Sequence, residues 1–387
     1  MNSKDIIDLI PDKLLEDLAI ETSVDKYAKK LNGKVVFRLL LHCILSYKDN
    51  SLRRMESHFE KVLFSYVNQD AQNVRYSSIS ERLKTMNVTF FKKLYQKCVA
   101  IYGPLIQDDN SSYIRYDSTI VSLSSQLLKI GYNLKNGDAS KLNLVKYSIG
   151  LSEIPTIAHF YTDQKYSNEN PALKQTILAH KTANTQAIRI FDRGIDSRNT
   201  YDELIENDIP FISRIKTNCK SKVVESSRIL KEIETPTLII KSDEIVYLFS
   251  EKARAKRTIR LIKAIQIETG KDIFFITSIT DLDTETICTM YRKRWDIEVF
   301  FKFLKQELNF SHFINRSANG IEIILYVTLI AAILLLVYKK CNKLKGYKIM
   351  KQKFLIDLEW EIMRDIVIVC GGDPNKIDEL KGKPPNK

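Results

Sequence analysis

Four polar residues late in the chain recur at spacings that place them on one side of a helix. They lie in the stretch YRKRWDIEVFFKFLK and are Tyr291, Arg294, Glu298 and Lys305. At about 100° per residue, their side chains fall within an arc of about 60°. The remaining circumference is largely apolar, so we expect a helix that is buried on most sides and presents one narrow polar stripe to a cleft. A solvated face with i,i+4 pairs such as Arg294 with Glu298 is the alternative.

A carboxylate flanked by cations and a phenol suits a divalent metal ion beside a phosphodiester. Glu298 would bind the metal, while the two cations and the Tyr291 hydroxyl would hold phosphate oxygens. A single carboxylate rarely holds Mg²⁺ by itself. The stripe therefore requires further acidic ligands from elsewhere in the chain.

Two aspartates are candidates for those ligands. Asp117 lies in the middle of the predicted strand YIRYDSTIVSLS, where an unpaired carboxylate would be costly to bury. Asp192 follows the predicted strand AIRIF and precedes a glycine-containing turn, a usual location for functional side chains in α/β sheets. Carboxylates about 4 Å apart repel by about 4 kcal/mol per pair at an effective dielectric of about 20. Such a cluster makes sense mainly as a cation site.

The elements that must position these residues follow from the pattern of apolar side chains. Residues 1–108 predict helices throughout, and the capping-box spacing of Ser78 and Glu81 predicts that a helix begins there. From residue 113, three consecutive strands and then alternating helices and strands indicate a mixed sheet flanked by helices. Residues 213–283 predict strands only, and residues 283–308 predict one long helix.

The overall composition favours a polyanionic partner. The 387 residues include 60 Lys and Arg against 47 Asp and Glu, a formal net charge of +13. The six cysteines and five histidines are scattered without close pairs, which argues against a zinc site or a disulfide framework and favours a reducing cytoplasm. The N-terminal residues show no signal-peptide pattern.

One apolar segment could suggest a membrane protein. The run from Ile323 to Tyr338 is shorter than the about 20 residues that a bilayer requires. We therefore expect a helix that is buried on all sides in a large core.

The four-residue spacing resembles the YREK signature of the DDE transposases of insertion-sequence family four. YDST around Asp117 and FDRGI around Asp192 look like that family's first and second Asp regions. The resemblance extends from about residue 35 to about residue 335 and includes the β-rich segment. It implies an α/β fold: an RNase H-like mixed sheet flanked by helices, with a β-rich insertion between the second Asp and the Glu, preceded by an all-helical N-terminal domain.

With the resemblance, the chain divides into five parts. They are a helical N-terminal DNA-binding domain (1–108), the first part of an RNase H-like catalytic domain (109–212), a β-rich insertion (213–283), the helical second part of the catalytic domain (284–345), and a C-terminal helix with a flexible tail (346–387). The N-terminal domain is predicted to have helix-turn-helix character, and its basic residues include Arg53, Arg54, Arg75, Arg82 and Lys84. A solvated basic surface is the alternative interpretation.

The resemblance also implies roles for particular side chains. The catalytic residues, which would bind two Mg²⁺ or Mn²⁺ ions, are Asp117, Asp192 and Glu298. The DNA-binding residues are Tyr291, Arg294, Lys305, Trp295, Lys302 and Arg193. Among these, Trp295 would stack on an unpaired base, with core packing as the alternative.

The implied activity is that of a magnesium-dependent DNA endonuclease and strand transferase. Water nicks the element end, and the freed 3′-hydroxyl then attacks the other strand or the target through two-metal phosphoryl transfer, with a hairpin intermediate. The implied partners are double-stranded DNA (terminal inverted repeats and target) and a second copy of the chain in a complex with two DNA ends, in a bacterial cytoplasm at the nucleoid and without a membrane. Alternatives are a catalytically silent DNA-binding regulator on the same scaffold and a plain nuclease without strand transfer.

Overall fold

A computed structural model describes most of the chain, namely residues 1–46, 51–61, 64–65, 73–106, 113–123, 143–180, 186–229, 231–249, 255–310, 315 and 317–381. The chain forms two units. One unit combines Met1–Gln107 with Lys302–Lys387, and the other is Asp108–Phe301. The end of the predicted flexible tail, residues 382–387, lies outside the described residues.

The described residues form thirteen α-helices and ten strands. The helices are α1 Ser3–Asp8, α2 Asp12–Thr22, α3 Gly33–Ser46, α4 Leu52–His58, α5 Tyr76–Thr85, α6 Thr89–Ile106, α7 Glu169–Ala179, α8 Arg198–Glu206, α9 Thr284–Arg292, α10 Trp295–Glu307, α11 Ala318–Cys341, α12 Tyr347–Val369 and α13 Asn375–Lys381. The strands are β1 Tyr113–Leu123, β2 Asn143–Leu151, β3 Pro155–Tyr161, β4 Ile188–Ile190, β5 Phe211–Ile215, β6 Lys220–Glu225, β7 Ile233–Glu234, β8 Leu238–Phe249, β9 Ile259–Gln266 and β10 Asp272–Thr277.

All ten strands belong to one mixed sheet in the order β3-β2-β1-β4-β5-β10-β9-β8-β6, with β7 paired to β8. Strands β1 to β3 are antiparallel neighbours, whereas β4 and β5 run parallel to β1. The predicted mixed sheet with flanking helices is confirmed, and this arrangement is consistent with an RNase H-like fold. The β-rich segment continues the same sheet through the antiparallel pairing of β10 with β5. Its description as an insertion stays a prediction.

Both faces of the sheet are covered by apolar side chains, as the sequence of β4 illustrates. Ile188 and Ile190 belong to one buried cluster, while Ala187 and Phe191 belong to the other. Because successive strand residues point to opposite faces, apolar residues are needed on both sides of this short strand, with the buried Arg189 as the one charged residue within it. The cluster of Ile188 and Ile190 also contains Tyr291, which fixes α9 against the sheet.

The prediction of one long helix over residues 283–308 is wrong, because the segment forms two helices, α9 and α10, with a break at Lys293 and Arg294. There the Lys293 N–H donates to the carbonyl of Met290, and the Arg294 N–H donates to that of Tyr291. These tight i→i−3 bonds end α9 before α10 begins. The arc calculated for one straight helix therefore does not describe this segment, and Arg294 lies at the junction.

The helix start predicted from Ser78 and Glu81 is also wrong, because α5 begins at Tyr76. The Tyr76 N–H donates to the Glu56 carboxylate at 3.0 Å, so α4 supplies the group that satisfies this helix end. A partner 20 residues away is not visible in a local capping pattern.

The apolar helix α11 is long and apolar enough to cross a membrane by length and composition, yet 89% of its most apolar window is buried inside the protein. It packs against α1, α3, α5, α6 and α12 in the first unit. Near its start, the Asn319 side chain donates to the carbonyls of Leu83 and Met86. The expectation of a core helix agrees with this burial.

Candidate functional site

Strand β1 carries two ionisable side chains on one face. Arg115 and Asp117 are separated by two positions and therefore point the same way. The Asp117 carboxylate accepts a hydrogen bond from the Ser118 N–H at 2.7 Å and is largely buried. Strand β1 thus presents a carboxylate on the side of the sheet that faces α9 and α10.

Asp192 reaches the same place because β4 lies beside β1. Arg115 is paired with Ile190 in the parallel register, and two more residues along each chain lead to Asp117 and Asp192. The Asp192 carboxylate accepts a hydrogen bond from the Gly194 N–H at 2.7 Å. This bond holds the side chain in the turn that follows β4.

Glu298 joins Asp117 through a shared cation. The Arg294 guanidinium lies 2.5 Å from Glu298 Oε1 and 3.9 Å from Asp117 Oδ2. The i,i+4 pair considered for these residues therefore exists, but the Arg294 side chain is largely buried rather than solvated. The structure brings Asp117, Asp192 and Glu298 into one neighbourhood with Arg294 between two of them.

The start of α10 is fixed to β1 by a second ion pair. Arg115 Nη1 lies 2.7 Å from Asp296 Oδ2, and the same guanidinium donates to the carbonyls of Leu151 and Ser152. Because Asp296 is two residues before Glu298, this pair holds the helix where Glu298 can approach Asp117. Neither Arg115 nor Asp296 has a local signature in the sequence, so the sequence does not predict this pair.

A fourth carboxylate, Glu169, belongs to the same cluster and was also missed. It is the first residue of α7, and a methyl group added to Gly194 would lie 2.2 Å from Glu169 Oε2 and 2.9 Å from Asp192 Oδ1. The segment ENPALKQTIL indicated only a helix, and an acidic residue in a first helical turn is usually explained by the helix dipole. Only the packing of α7 beside β1 and β2 brings this side chain to Asp192.

Burial and mutual repulsion raise the pKa values of two of these acids. Burial raises the pKa of Asp117 to about 6, the Ser118 hydrogen bond and Arg294 oppose the rise, and Asp192 and Glu298 add to it. Burial, then Asp192 and Asp117, raise the pKa of Glu169 to about 7. Perturbed acids in a shared cleft are typical of functional sites.

The donor chemistry of this cluster suits Mg²⁺ or Mn²⁺, which prefer carboxylate oxygens. Within the residues that the structure describes, however, no three acidic, His or Cys side chains come together closely enough to enclose an ion. Arg294 accounts for part of the separation between the acids, because its guanidinium contacts both Glu298 and Asp117. The carboxylates fit the ion chemically, and an ion that bound Glu298 would have to replace this contact.

A cavity of about 490 Å³ opens beside the cluster. Its lining includes Arg214, Arg292, Arg294, Tyr291 and Trp295. Tyr291 is only 8% exposed and packs edge-on against Phe275, so its ring belongs to the core instead of an exposed stripe. Trp295 is 62% exposed, which makes the core-packing alternative wrong.

The remaining predicted contact residues lie on the surface. Arg193 is exposed in the turn between Asp192 and Gly194, whereas Lys302 and Lys305 are exposed on the part of α10 that belongs to the other unit.

In the N-terminal region, Arg82 donates to the carbonyls of Leu31 and Val24. Its guanidinium is therefore engaged in the fold, whereas the other basic residues named there are exposed, namely Arg53, Arg54, Arg75 and Lys84.

Comparison with known proteins identifies related chains. A family model described as a transposase DDE domain matches residues 116–334, more than half of the chain. A protein of Synechocystis described as a transposase for insertion sequence element IS4SA is 25% identical over 305 residues, 76% of this chain and 78% of that protein. A transposase for insertion sequence element IS5377 from Geobacillus stearothermophilus is 25% identical over 158 residues, 41% of each chain. A Sinorhizobium fredii transposase is 29% identical over 159 residues, 41% of this chain and 44% of that one.

Proposed function

The chain belongs to the transposase DDE domain family, and we propose that it is the transposase of an insertion sequence. It cleaves the ends of its element and joins the freed 3′-hydroxyl to DNA, with a hairpin at the element end as the intermediate. Asp117, Asp192 and Glu298 are the catalytic acids. The observation that carries this assignment is that the three acids, which are far apart in the chain, lie near one another. Arg294 contacts Asp117 and Glu298, and Asp192 lies close enough to Asp117 to raise its pKa.

Two Mg²⁺ or Mn²⁺ ions would be held by the three acids and would supply charge stabilisation to the phosphoryl transfer. The chain's own cations take the complementary task. Arg294 can donate bidentately to a phosphate oxygen pair, which a single point charge cannot do. Releasing Glu298 would free the guanidinium for that contact while making the carboxylate available to a cation.

The cavity beside the acids supports a DNA-end contact. Arg214, Arg292 and Arg294 surround it with positive charge, and the exposed Trp295 offers an aromatic surface on which an unpaired base can stack. Tyr291 lines the same cavity, so its hydroxyl can donate to a phosphate despite the burial of its ring. Arg193, Lys302 and Lys305 supply further phosphate contacts from the surface.

The remaining DNA contacts are assigned to the N-terminal helices. The exposed Arg53, Arg54, Arg75 and Lys84 lie on or beside α4 and α5, which pack against each other. The double-stranded substrate is the pair of terminal inverted repeats and the target DNA. The place of action is the bacterial cytoplasm, at the nucleoid.

A second copy of the chain completes the complex with two DNA ends. Apolar residues on α12 recur every seven positions at Ile349, Ile356 and Met363, and all three are exposed. Trp360 lies between Ile356 and Met363, and Val367 follows Met363, both at coiled-coil spacing. The buried residues of this helix are on its other side, so the stripe is available to pair with the same stripe of a second copy.

The substitution Glu298→Gln tests the catalytic assignment. It keeps the size of the side chain and a hydrogen-bond acceptor for Arg294 but removes the charge that a divalent ion requires. We expect cleavage of labelled element-end DNA with Mg²⁺ or Mn²⁺ to fall about 10²–10³-fold, while gel-shift binding of that DNA changes little. Glu206→Gln, an exposed acid paired with Arg257, is the matched control. Retained cleavage in Glu298→Gln would remove Glu298 from the reaction.

A further inference from the structure

Resting on the proposed function, we propose that Glu169 is a fourth carboxylate of the metal site and ligates a divalent ion together with Asp192. Oxygens of these two side chains both lie within 3 Å of the point where a Gly194 methyl would be, so the carboxylates are close neighbours.

The two halves of the acidic cluster differ in how their charge is balanced. Asp117 and Glu298 share the Arg294 guanidinium. Within the described residues, neither Asp192 nor Glu169 forms an ion pair with a Lys, Arg or His side chain. The nearby cations Lys146 and Arg294 offset only part of the repulsion at Glu169, whose pKa stays raised. A divalent ion between the two carboxylates would remove the remaining penalty.

The backbone around Glu169 is built to hold the side chain at this position. Lys146 is almost fully buried on β2 and donates to the carbonyl of Ser167 at 2.7 Å, two residues before Glu169. Burial lowers the pKa of Lys146, and the nearby Glu169 opposes that effect. The lysine therefore fixes the chain entering α7, where the first-turn acid is directed at the turn after β4.

Glycine at position 194 is a second requirement of the same geometry. Any larger residue there would place its Cβ against the Glu169 carboxylate and against Asp192 Oδ1. The Gly194 N–H also donates to that Asp192 oxygen. Gly194 thus both leaves room for Glu169 and orients Asp192, and a substitution to Ala disturbs the pair while keeping every charge.

The proposal is tested by Mn²⁺ binding to the full chain without DNA, measured by electron paramagnetic resonance, and by thermal unfolding of the metal-free protein. We expect Glu169→Gln to weaken Mn²⁺ affinity by about tenfold or more and to raise the metal-free unfolding temperature, because it removes a like-charge repulsion. Gly194→Ala should weaken Mn²⁺ binding without any change in charge. Glu206→Gln should leave both measurements unchanged.

A structural role for Glu169 predicts a different result. Glu169→Gln would then bind Mn²⁺ like the wild type and unfold at a lower temperature, which would overturn the proposal. Asp192→Asn separates this failure from failure of the proposed function. If Asp192→Asn loses Mn²⁺ binding and neither Glu169→Gln nor Gly194→Ala does, the transposase site stands without Glu169. A wild-type chain that binds no Mn²⁺ would overturn both.

Discussion

At the scale of single residues, Arg294 contacts two acids, and only one of these contacts could be predicted from the sequence. Its i,i+4 spacing to Glu298 is visible in the sequence. Its approach to Asp117 is not, because Asp117 is contributed by a strand of the sheet. The guanidinium offsets the repulsion between the two acids. In the proposed function, the same group would donate hydrogen bonds to a phosphate of the DNA once a divalent ion engages the acids.

Two buried histidines of the first unit should make the free energy of unfolding depend on pH, independently of the acidic cluster. The rings of His42 and His58 meet edge-on with centroids 4.9 Å apart. Burial lowers the pKa of each ring to about 4. The positive charge of Lys61 lowers the pKa of His42 further. For His58, the neighbouring His42 and then Lys61 add to the effect of burial. Both are neutral in the folded chain near pH 6, whereas the unfolded chain takes up protons as the pH falls through about 6.5.

The stability that these neutral rings contribute is present above pH 6.5 and is lost as the pH falls toward 4. We expect the urea midpoint to decline over this range and to decline less in the double variant His42→Gln/His58→Gln. Histidine Cε1 proton shifts recorded by NMR at each pH provide the check. A ring that titrates near pH 6.5 in the folded chain would contradict the prediction.

At the scale of elements, a buried ion pair joins α9 to the sheet. Arg260 on β9 forms a bidentate contact with Asp243 on β8 at 2.8 and 2.6 Å, and both side chains are almost fully buried. The Thr284 hydroxyl donates to the same Asp243 carboxylate, and Arg260 also donates to the carbonyl of Leu282. The first turn of α9 is thereby fixed above the sheet, and α9 leads directly to the junction at Arg294.

Breaking this pair should be costly, because it leaves a buried cation without its partner. Asp243→Asn is expected to reduce the free energy of unfolding by about 3–5 kcal/mol, measured by urea denaturation. Lys241→Gln is the matched control, since its ion pair with Glu232 is exposed and contributes little. Equal effects of the two substitutions would show that the buried network does not stabilise α9.

At the scale of the whole molecule, the α12 stripe makes the oligomeric state testable. Ile356 is 46% exposed on the stripe, whereas Val369 is 71% exposed on the same helix outside it. Burying an isoleucine contributes about 1.5–3 kcal/mol, so Ile356→Glu should raise the dimer dissociation constant at least about tenfold. Sedimentation equilibrium provides the measurement, with Val369→Glu as the control.

If the wild type dimerises, and Ile356→Glu and Val369→Glu both have the dissociation constant of the wild type, the stripe is not the interface. A wild-type chain that is monomeric at all concentrations and also with element-end DNA would remove the second copy from the proposal.

The sequence by itself determined the element types around the candidate site and the identity of three of its acids. The pattern of apolar residues in β1 and β4 predicts strands, because each strand's burial depends on the side chains of its own residues. The spacing of Arg294 and Glu298 is equally local. The N-terminal helices and the burial of α11 could likewise be read from composition and periodicity.

Only the tertiary structure decided where those elements end and which other side chains reach the site. The break at Lys293, the cap that Glu56 provides for α5, and the ion pair of Arg115 with Asp296 all depend on neighbours distant in the chain. Glu169 is the strongest example, because its helix carries no unusual pattern. Its carboxylate meets Asp192 only because the parallel pairing of β1 with β4 and the packing of α7 bring two distant chain segments to one glycine.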